Sequence, residues 1–163
     1  MALDKAAVLK AVIVQMKDDL DKHGRALGDA RAGATSSEVS SDGKYDTRST
    51  EASYLARGHA MHFETLQADV AEMETYRPPI YEQNDPIGKG ALVGLSLRGY
   101  TDLYFILPKG GGVEVQIEID GVETEITVMT PTAPLYAQLK GKKVGGKVQV
   151  GDNRFKSTVD SIC

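Results

Sequence analysis

Residues 2–27, ALDKAAVLKAVIVQMKDDLDKHGRAL, place Ala2, Ala6, Leu9, Ile13, Met16, Leu20, His23 and Leu27 at intervals of 4, 3, 4, 3, 4, 3 and 4. This heptad spacing keeps one seam of an α-helix turned toward a partner helix. A second series repeats it: Ala52, Ala56, His59, Phe63, Leu66, Val70 and Met73 are separated by 4, 3, 4, 3, 4 and 3. The segment between them, Gly33 to Lys44, is rich in Ser and Gly and carries no period. Neither seam can be left in water, and a short connection makes antiparallel neighbours. Residues 1–76 are therefore expected to form an antiparallel helical coiled-coil hairpin with its tip at about residues 33–46. At about 1.5 Å per residue, arms of roughly 30 residues would put that tip on the order of 45 Å from the base. Gly24, Gly28 and Gly58 each weaken the arms by about 1 kcal/mol relative to Ala.

Composition changes at Tyr76. All six prolines (Pro78, Pro79, Pro86, Pro108, Pro131, Pro134) and twelve of the seventeen glycines follow it. Val, Ile and Thr number 11 up to that point and 22 beyond it, which moves intrinsic preference from helix to strand. Residues 77–87, with Pro78, Pro79 and Pro86, read as a stiff connector. Residues 88–163 then read as an antiparallel β domain with strands at 91–97, 102–107, 113–119, 123–129, 147–150 and 157–162. Asp120-Gly121 marks a tight hairpin between two alternating runs. Thr132 to Leu139 is expected to be one short helix, capped by Thr130 or Thr132. The fold class is α+β.

Charge and cysteine content narrow the functions. The 163 residues carry a formal charge of −4, and the excess of acid lies wholly before Arg77, with 13 acidic against 9 basic residues there and 10 of each afterwards. Affinity for nucleic acid that rests on neutralising many phosphates is disfavoured by this balance. Cys163, the single cysteine, permits neither an intramolecular disulfide nor a four-thiolate zinc site. The apolar run Ala6 to Met16 is interrupted by Lys10 and preceded by Asp4, so neither an export signal nor a membrane span is expected. A reducing, cytoplasmic location follows as the expectation.

Enzyme signatures are sparse. Gly110-Gly111-Gly112 lies between two expected strands, not before a helix with Lys-Ser/Thr, and reads as a turn instead of a phosphate cradle. No histidine lies in the β domain, so a Ser-His-Asp site has no local support. His23, His59 and His62 all fall on the hairpin, where His23 is expected to face His59; they read as polar layers of a narrow coiled coil in preference to metal ligands. Glu38, Asp42 and Asp46 are spaced by four around Tyr45 at the expected tip. Solvated loop acids and a helix N-terminus account for them. A projecting arm that ends in acids is also what would deliver oxygen ligands to a Mg²⁺ ion deep inside another molecule.

This order of parts resembles the bacterial Gre transcript-cleavage and elongation factors. The residues that carry the resemblance are Asp42-Gly43-Lys44-Tyr45-Asp46-Thr47-Arg48, continuing Glu51-Ala52-Ser53-Tyr54-Leu55-Ala56, together with Thr130-Pro131-Thr132-Ala133-Pro134-Leu135 and Leu139-Lys140-Gly141-Lys142-Lys143-Val144-Gly145. The first run is similar to a small Gre-like branch with a Lys-Tyr-Asp-Thr-Arg tip. The resemblance implies an FKBP-like β domain, RNA polymerase as partner, and insertion of the hairpin into the polymerase secondary channel. It further implies that Glu38, Asp42 and Asp46 act near the Mg²⁺ of the polymerase active centre, with Tyr45 and Arg48 as tip support. Lys140, Lys142 and Lys143 are the rim contacts it implies in the β domain. No catalytic group, metal or cofactor of the chain's own is implied, and nucleic acid is met only within the elongation complex. One departure matters. The family has acids seven and four residues before a tip tyrosine; counted from Tyr45 these positions are Glu38 and Ser41, and a hydroxyl does not replace a carboxylate on Mg²⁺. Asp42 stands one residue further on.

Three other readings remain at this point. A non-cleaving occupant of the secondary channel needs less exact chemistry at the tip. A peptidyl-prolyl isomerase needs an aromatic-lined pocket, for which the β domain offers Tyr81, Tyr100, Tyr104, Phe105, Tyr136 and Phe155, several of them required by the core. A coiled-coil adaptor would pair its seams with another chain, whereas a monomer is expected of the intramolecular hairpin.

Overall fold

The computed structural model describes residues 3–40 and 48–163, and the side chains of residues 3–29 and 57–163. Elements follow in the order α1 (Lys5–Ser40), α2 (Arg48–Thr75), β1 (Leu92–Leu97), β2 (Tyr100–Ile106), β3 (Glu114–Ile119), β4 (Val122–Met129), α3 (Pro134–Leu139), β5 (Lys147–Val148) and β6 (Ser157–Ile162). Two compact units result: Met1–Gln15 together with Glu72–Cys163, and Met16–Ala71.

The first unit is built on one six-stranded sheet in the order β3-β4-β2-β1-β6-β5. An antiparallel sheet was expected; the sheet is mixed. β4 runs antiparallel to β3 but parallel to β2, pairing Leu103 with Ile126 and Ile106 with Met129. The chain leaves β2, forms β3 at the outer edge and turns back into the space between, which makes the β2–β4 pair parallel. No local sequence signal encodes that choice.

Turn chemistry explains both hairpins. Asp120 and Gly121 both have positive φ, at 50° and 81°, which gives the right-handed twist that two-residue hairpins need. Arg98 and Gly99 do the same between β1 and β2, at 52° and 85°.

Alternation along the strands produces two apolar faces. Val93, Leu95, Ile106, Met129, Val159 and Ile162 are buried with Tyr136 and Leu139 of α3 and with Ile87. Leu92, Leu103, Phe105, Val115, Ile126 and Val128 are buried on the other side. The start of α1 lies over that second face, with Lys5 Nζ 6.0 Å from the centre of the Phe105 ring.

α3 is shorter than expected and starts differently. Its N-cap is Ala133, with no side-chain cap bond, and Pro134 occupies the first turn. Thr130 and Thr132 bond each other instead, Oγ1 to Oγ1 at 2.8 Å. A proline at the first helical position has no N–H to satisfy, so the threonine cap is dispensable.

Helix α1 continues to Ser40 and takes in residues 33–40, which the sequence reading assigned to the tip. Leu9, Met16, Leu27, Val70 and Met73 are buried as the two seams require, but Ala6 is exposed while Val8 and Val12 are buried. The first turns of α1 belong to the sheet-containing unit, and so they bury a wider stripe than a two-helix seam.

Candidate functional site

The residues singled out by sequence fall into two groups. Glu38 lies in the last turns of α1, and Arg48 is the first residue of α2. Asp42, Tyr45 and Asp46 lie outside the described residues, as do the side chains of Glu38 and Arg48. What the structure supplies here is the pair of helices that carries them.

The connection between α1 and α2 is residues 41–47. At no more than about 3.5 Å per residue it is far too short to let α2 begin beside the start of the 36-residue α1 and run parallel to it. The contacts agree. His23 stands seventeen residues before Ser40 and His62 fourteen after Arg48, and their Nε2 atoms are 3.1 Å apart. The two rings meet edge to face, with centres 4.2 Å apart and planes at 69°. His23 therefore pairs with His62, not with His59 as expected. A helix with 3.6 residues per turn drifts from a strict 3.5-residue seam, and the residue beside the seam comes forward.

At the next residue of each helix, Gly24 receives the ring of Phe63. A Cβ built on Gly24 would lie 3.3 Å from Phe63 Cε2, whereas nothing comes within 4 Å of one built on Gly28 or Gly58 among the described residues. Gly24 thus has a packing reason to be glycine. Lys22 and Asp18 form an exposed i,i+4 ion pair at 3.0 Å on the same helix, which is worth a few tenths of a kcal/mol at most.

Lys140, Lys142 and Lys143 lie between α3 and β5 in the first unit. Lys140 and Lys143 are exposed and Lys142 is half-buried. Backbone bonds fix this stretch: Ile87 N–H donates to the Lys142 carbonyl at 2.8 Å, and Gly141 N–H donates to the Ile87 carbonyl at 2.8 Å. The end of the proline connector is thereby strapped to the lysine segment. Gly141 and Gly145, at φ of 80° and 90°, allow the sharp bends on either side of Lys142 and Lys143. Three ammonium groups are presented on a stretch of chain held from beneath.

Lys5 is the functional-looking residue that pattern reading missed. Its Nζ donates to the Pro79 carbonyl at 2.7 Å and to the Cys163 carbonyl at 3.1 Å, and it lies 5.2 Å from the centre of the Tyr81 ring. Burial holds its pKa below the usual lysine range, against an opposing pull from Cys163. Burial likewise lifts the Cys163 thiol, which Lys5 partly offsets. These groups border a cleft of about 560 Å³ whose walls include Leu9, Pro79, Ile80 and Tyr81. The ammonium is thus committed to holding the connector.

The six aromatic residues weighed for a proline pocket do not gather there. Phe105 and Tyr136 are buried in the core, Tyr100 is 80% exposed, and Phe155 lies under the Arg98 guanidinium at 4.1 Å. Of the six, only Tyr81 borders the cleft. Among the described residues, no three His, Cys, Asp or Glu side chains converge as a metal site. No helix, among those residues, is long and apolar enough to cross a membrane.

No family model matches the chain, and no curated protein matches it. Solved structures similar to the chain include the following. The GreA factor homolog 1 (Gfh1) protein of Thermus thermophilus is 18% identical, with 94% of this chain and 96% of that one covered and a TM-score of 0.35. A structure described as the transcription factor Gfh1 is 19% identical over 94% of each chain, with a TM-score of 0.37. Thermus aquaticus Gfh1 is 19% identical over 94% of each chain, with a TM-score of 0.35. Likeness at this identity and superposition decides nothing about chemistry, and the functional reading rests on the chain's own residues.

Proposed function

We propose that this chain is a Gre-like factor that binds RNA polymerase, inserts its helical hairpin into the secondary channel and modulates elongation. The observation that supports the reading is the antiparallel pairing of α1 and α2, fixed by the contact of His23 with His62. The sequence that links these two helices contains Asp42 and Asp46 and is flanked by Glu38 and Arg48. Acids at the joined end of such a pair are suited to approach the Mg²⁺ of a recessed active centre, where carboxylates can hold a second ion and its attacking water. Tyr45 and Arg48 support the tip in this account, and Lys140, Lys142 and Lys143 contact the polymerase rim. The chain has no nuclease activity of its own, meets nucleic acid only inside the elongation complex, and works as a cytoplasmic monomer. The β domain is FKBP-like in this reading but serves docking and not proline isomerisation.

Ser41 favours a second form of the same account. It stands at a position that the resemblance assigns to an acid, so the tip has one carboxylate fewer in register, and occupation of the channel without cleavage is then the activity. RNA cleavage in stalled, backtracked elongation complexes separates the two forms. Stimulation by the wild type and its loss in Asp42→Ala indicate a cleavage factor. Binding without cleavage in both proteins indicates the non-cleaving regulator, and absence of binding removes both.

A further inference from the structure

The pairing of His23 with His62 brings two imidazole nitrogens from different helices within reach of a single ion. Their Nε2 atoms are 3.1 Å apart, and the rings meet edge to face with centres 4.2 Å apart and planes at 69°, so the two nitrogens are neighbours across the helices without lying head to head. In the absence of an ion, one Nε2–H donates to the lone pair of the other. We propose that these two imidazoles form an interhelical binding site for a late first-row divalent metal ion, of which zinc is the representative. Metal–imidazole bonds of about 2.0–2.1 Å that span 3.1 Å subtend roughly 95–100° at the ion, between the square and the tetrahedral angle. An ion replaces the shared proton once the rings turn from edge-to-face contact so that both Nε2 lone pairs converge on it, a rotation that the exposed His62 side chain can make.

Access and selectivity follow from the surroundings. His23 is half-buried and His62 is exposed, so water reaches the pair and fills the remaining coordination positions. Among the described residues no third His, Cys, Asp or Glu completes a cage, which makes the site open and exchangeable. Neutral imidazole suits zinc, nickel and copper, whereas Mg²⁺ prefers oxygen ligands and is rejected. One ligand comes from α1 and the other from α2, 39 residues apart in sequence. An ion bound there staples the two helices, and because the unfolded chain does not hold the ligands together, binding stabilises the hairpin. The site is independent of the polymerase reading and departs from the expectation that the chain carries no ion of its own.

The test is zinc chloride titrated into the EDTA-treated full-length chain, followed by calorimetry and by thermal unfolding. The expected result is one ion per chain and a higher unfolding temperature, neither of which Mg²⁺ reproduces. His23→Ala and His62→Ala should each weaken binding by about tenfold or more and abolish the thermal shift, while His59→Ala and Cys163→Ser should stay within about twofold of wild type. His62→Gln, which keeps a polar group on the helix, guards against a variant that merely loosens the hairpin; it should retain the metal-free unfolding temperature and lose the response. Absence of saturable binding by the wild type, or unchanged binding in both His23→Ala and His62→Ala, overturns the proposal.

Discussion

The ring of Phe63 occupies the space in which Gly24 would carry a side chain, its Cε2 only 3.3 Å from that position. Helical glycine ordinarily costs about 1 kcal/mol relative to Ala, and Gly28 shows the uncompensated case because nothing among the described residues lies within 4 Å of its missing Cβ. Gly28→Ala should therefore raise stability by about 0.5–1 kcal/mol in denaturant unfolding, while Gly24→Ala should gain less or lose. Equal stabilisation by the two substitutions would show that the Phe63 contact is unimportant.

Gly90 has the opposite problem, a backbone that only glycine adopts at ease. Its φ is 84°, and a Cβ there would overlap Pro79 Cδ and lie 2.8 Å from the Tyr76 hydroxyl. Gly90→Ala should cost about 3 kcal/mol, combining backbone strain with displacement of the proline connector from the sheet. Urea unfolding measures it, and a cost under about 1 kcal/mol would contradict the close approach.

Burial on the helices sets a further contrast. Met73 is fully buried and Val14 is 59% exposed. Met73→Ala should lose about 2–5 kcal/mol through lost transfer energy and the cavity left behind. Val14→Ala should stay within about 0.5 kcal/mol of wild type. Comparable losses in the two variants would mean that the seam has been read on the wrong face.

Alkaline pH should destabilise the fold. Burial raises the pKa of Cys163, Tyr76, Tyr81 and Tyr104 above their ordinary values of 9.0 and 10.0. For a group raised on folding, the folded state keeps the proton longer, so its contribution is fully present below the unfolded pKa and is lost as pH rises through the folded one. Lys5 works the other way: its pKa is lowered from 10.5, so stability from this group rises with pH between its folded value and 10.5. Four groups oppose one, and the unfolding temperature should fall from about pH 9 upward. Cys163→Ser should remove the earliest part of that fall, and a flat profile to pH 11 would contradict the assignment.

Local chemistry makes much of this fold legible in the sequence. The 4,3 spacing identified Leu9, Met16, Leu27, Val70 and Met73 as a buried seam, and Asp120-Gly121 announced its hairpin because both residue types accept positive φ. Arg98-Gly99 makes the same turn unannounced, since arginine carries no such preference. The β2–β4 pairing is parallel for a reason that lies in the path of the whole chain, where short-range patterns do not reach. A seam counted at 3.5 residues points His23 at His59, whereas the drift of a real helix brings His62 to it. Periodicity also marks buried faces and not helix ends, which is why residues 33–40 read as a turn while α1 runs to Ser40. Of the candidate site, the lysine segment lies within the described structure; Asp42, Tyr45 and Asp46 do not.

Association with core RNA polymerase tests the central claim most directly. Labelled chain titrated with the enzyme should show saturable one-to-one binding, weakened by Lys140→Glu combined with Lys142→Glu and Lys143→Glu, and retained by Asp42→Ala. A folded, monomeric chain that shows no saturable binding to the polymerase would contradict the account.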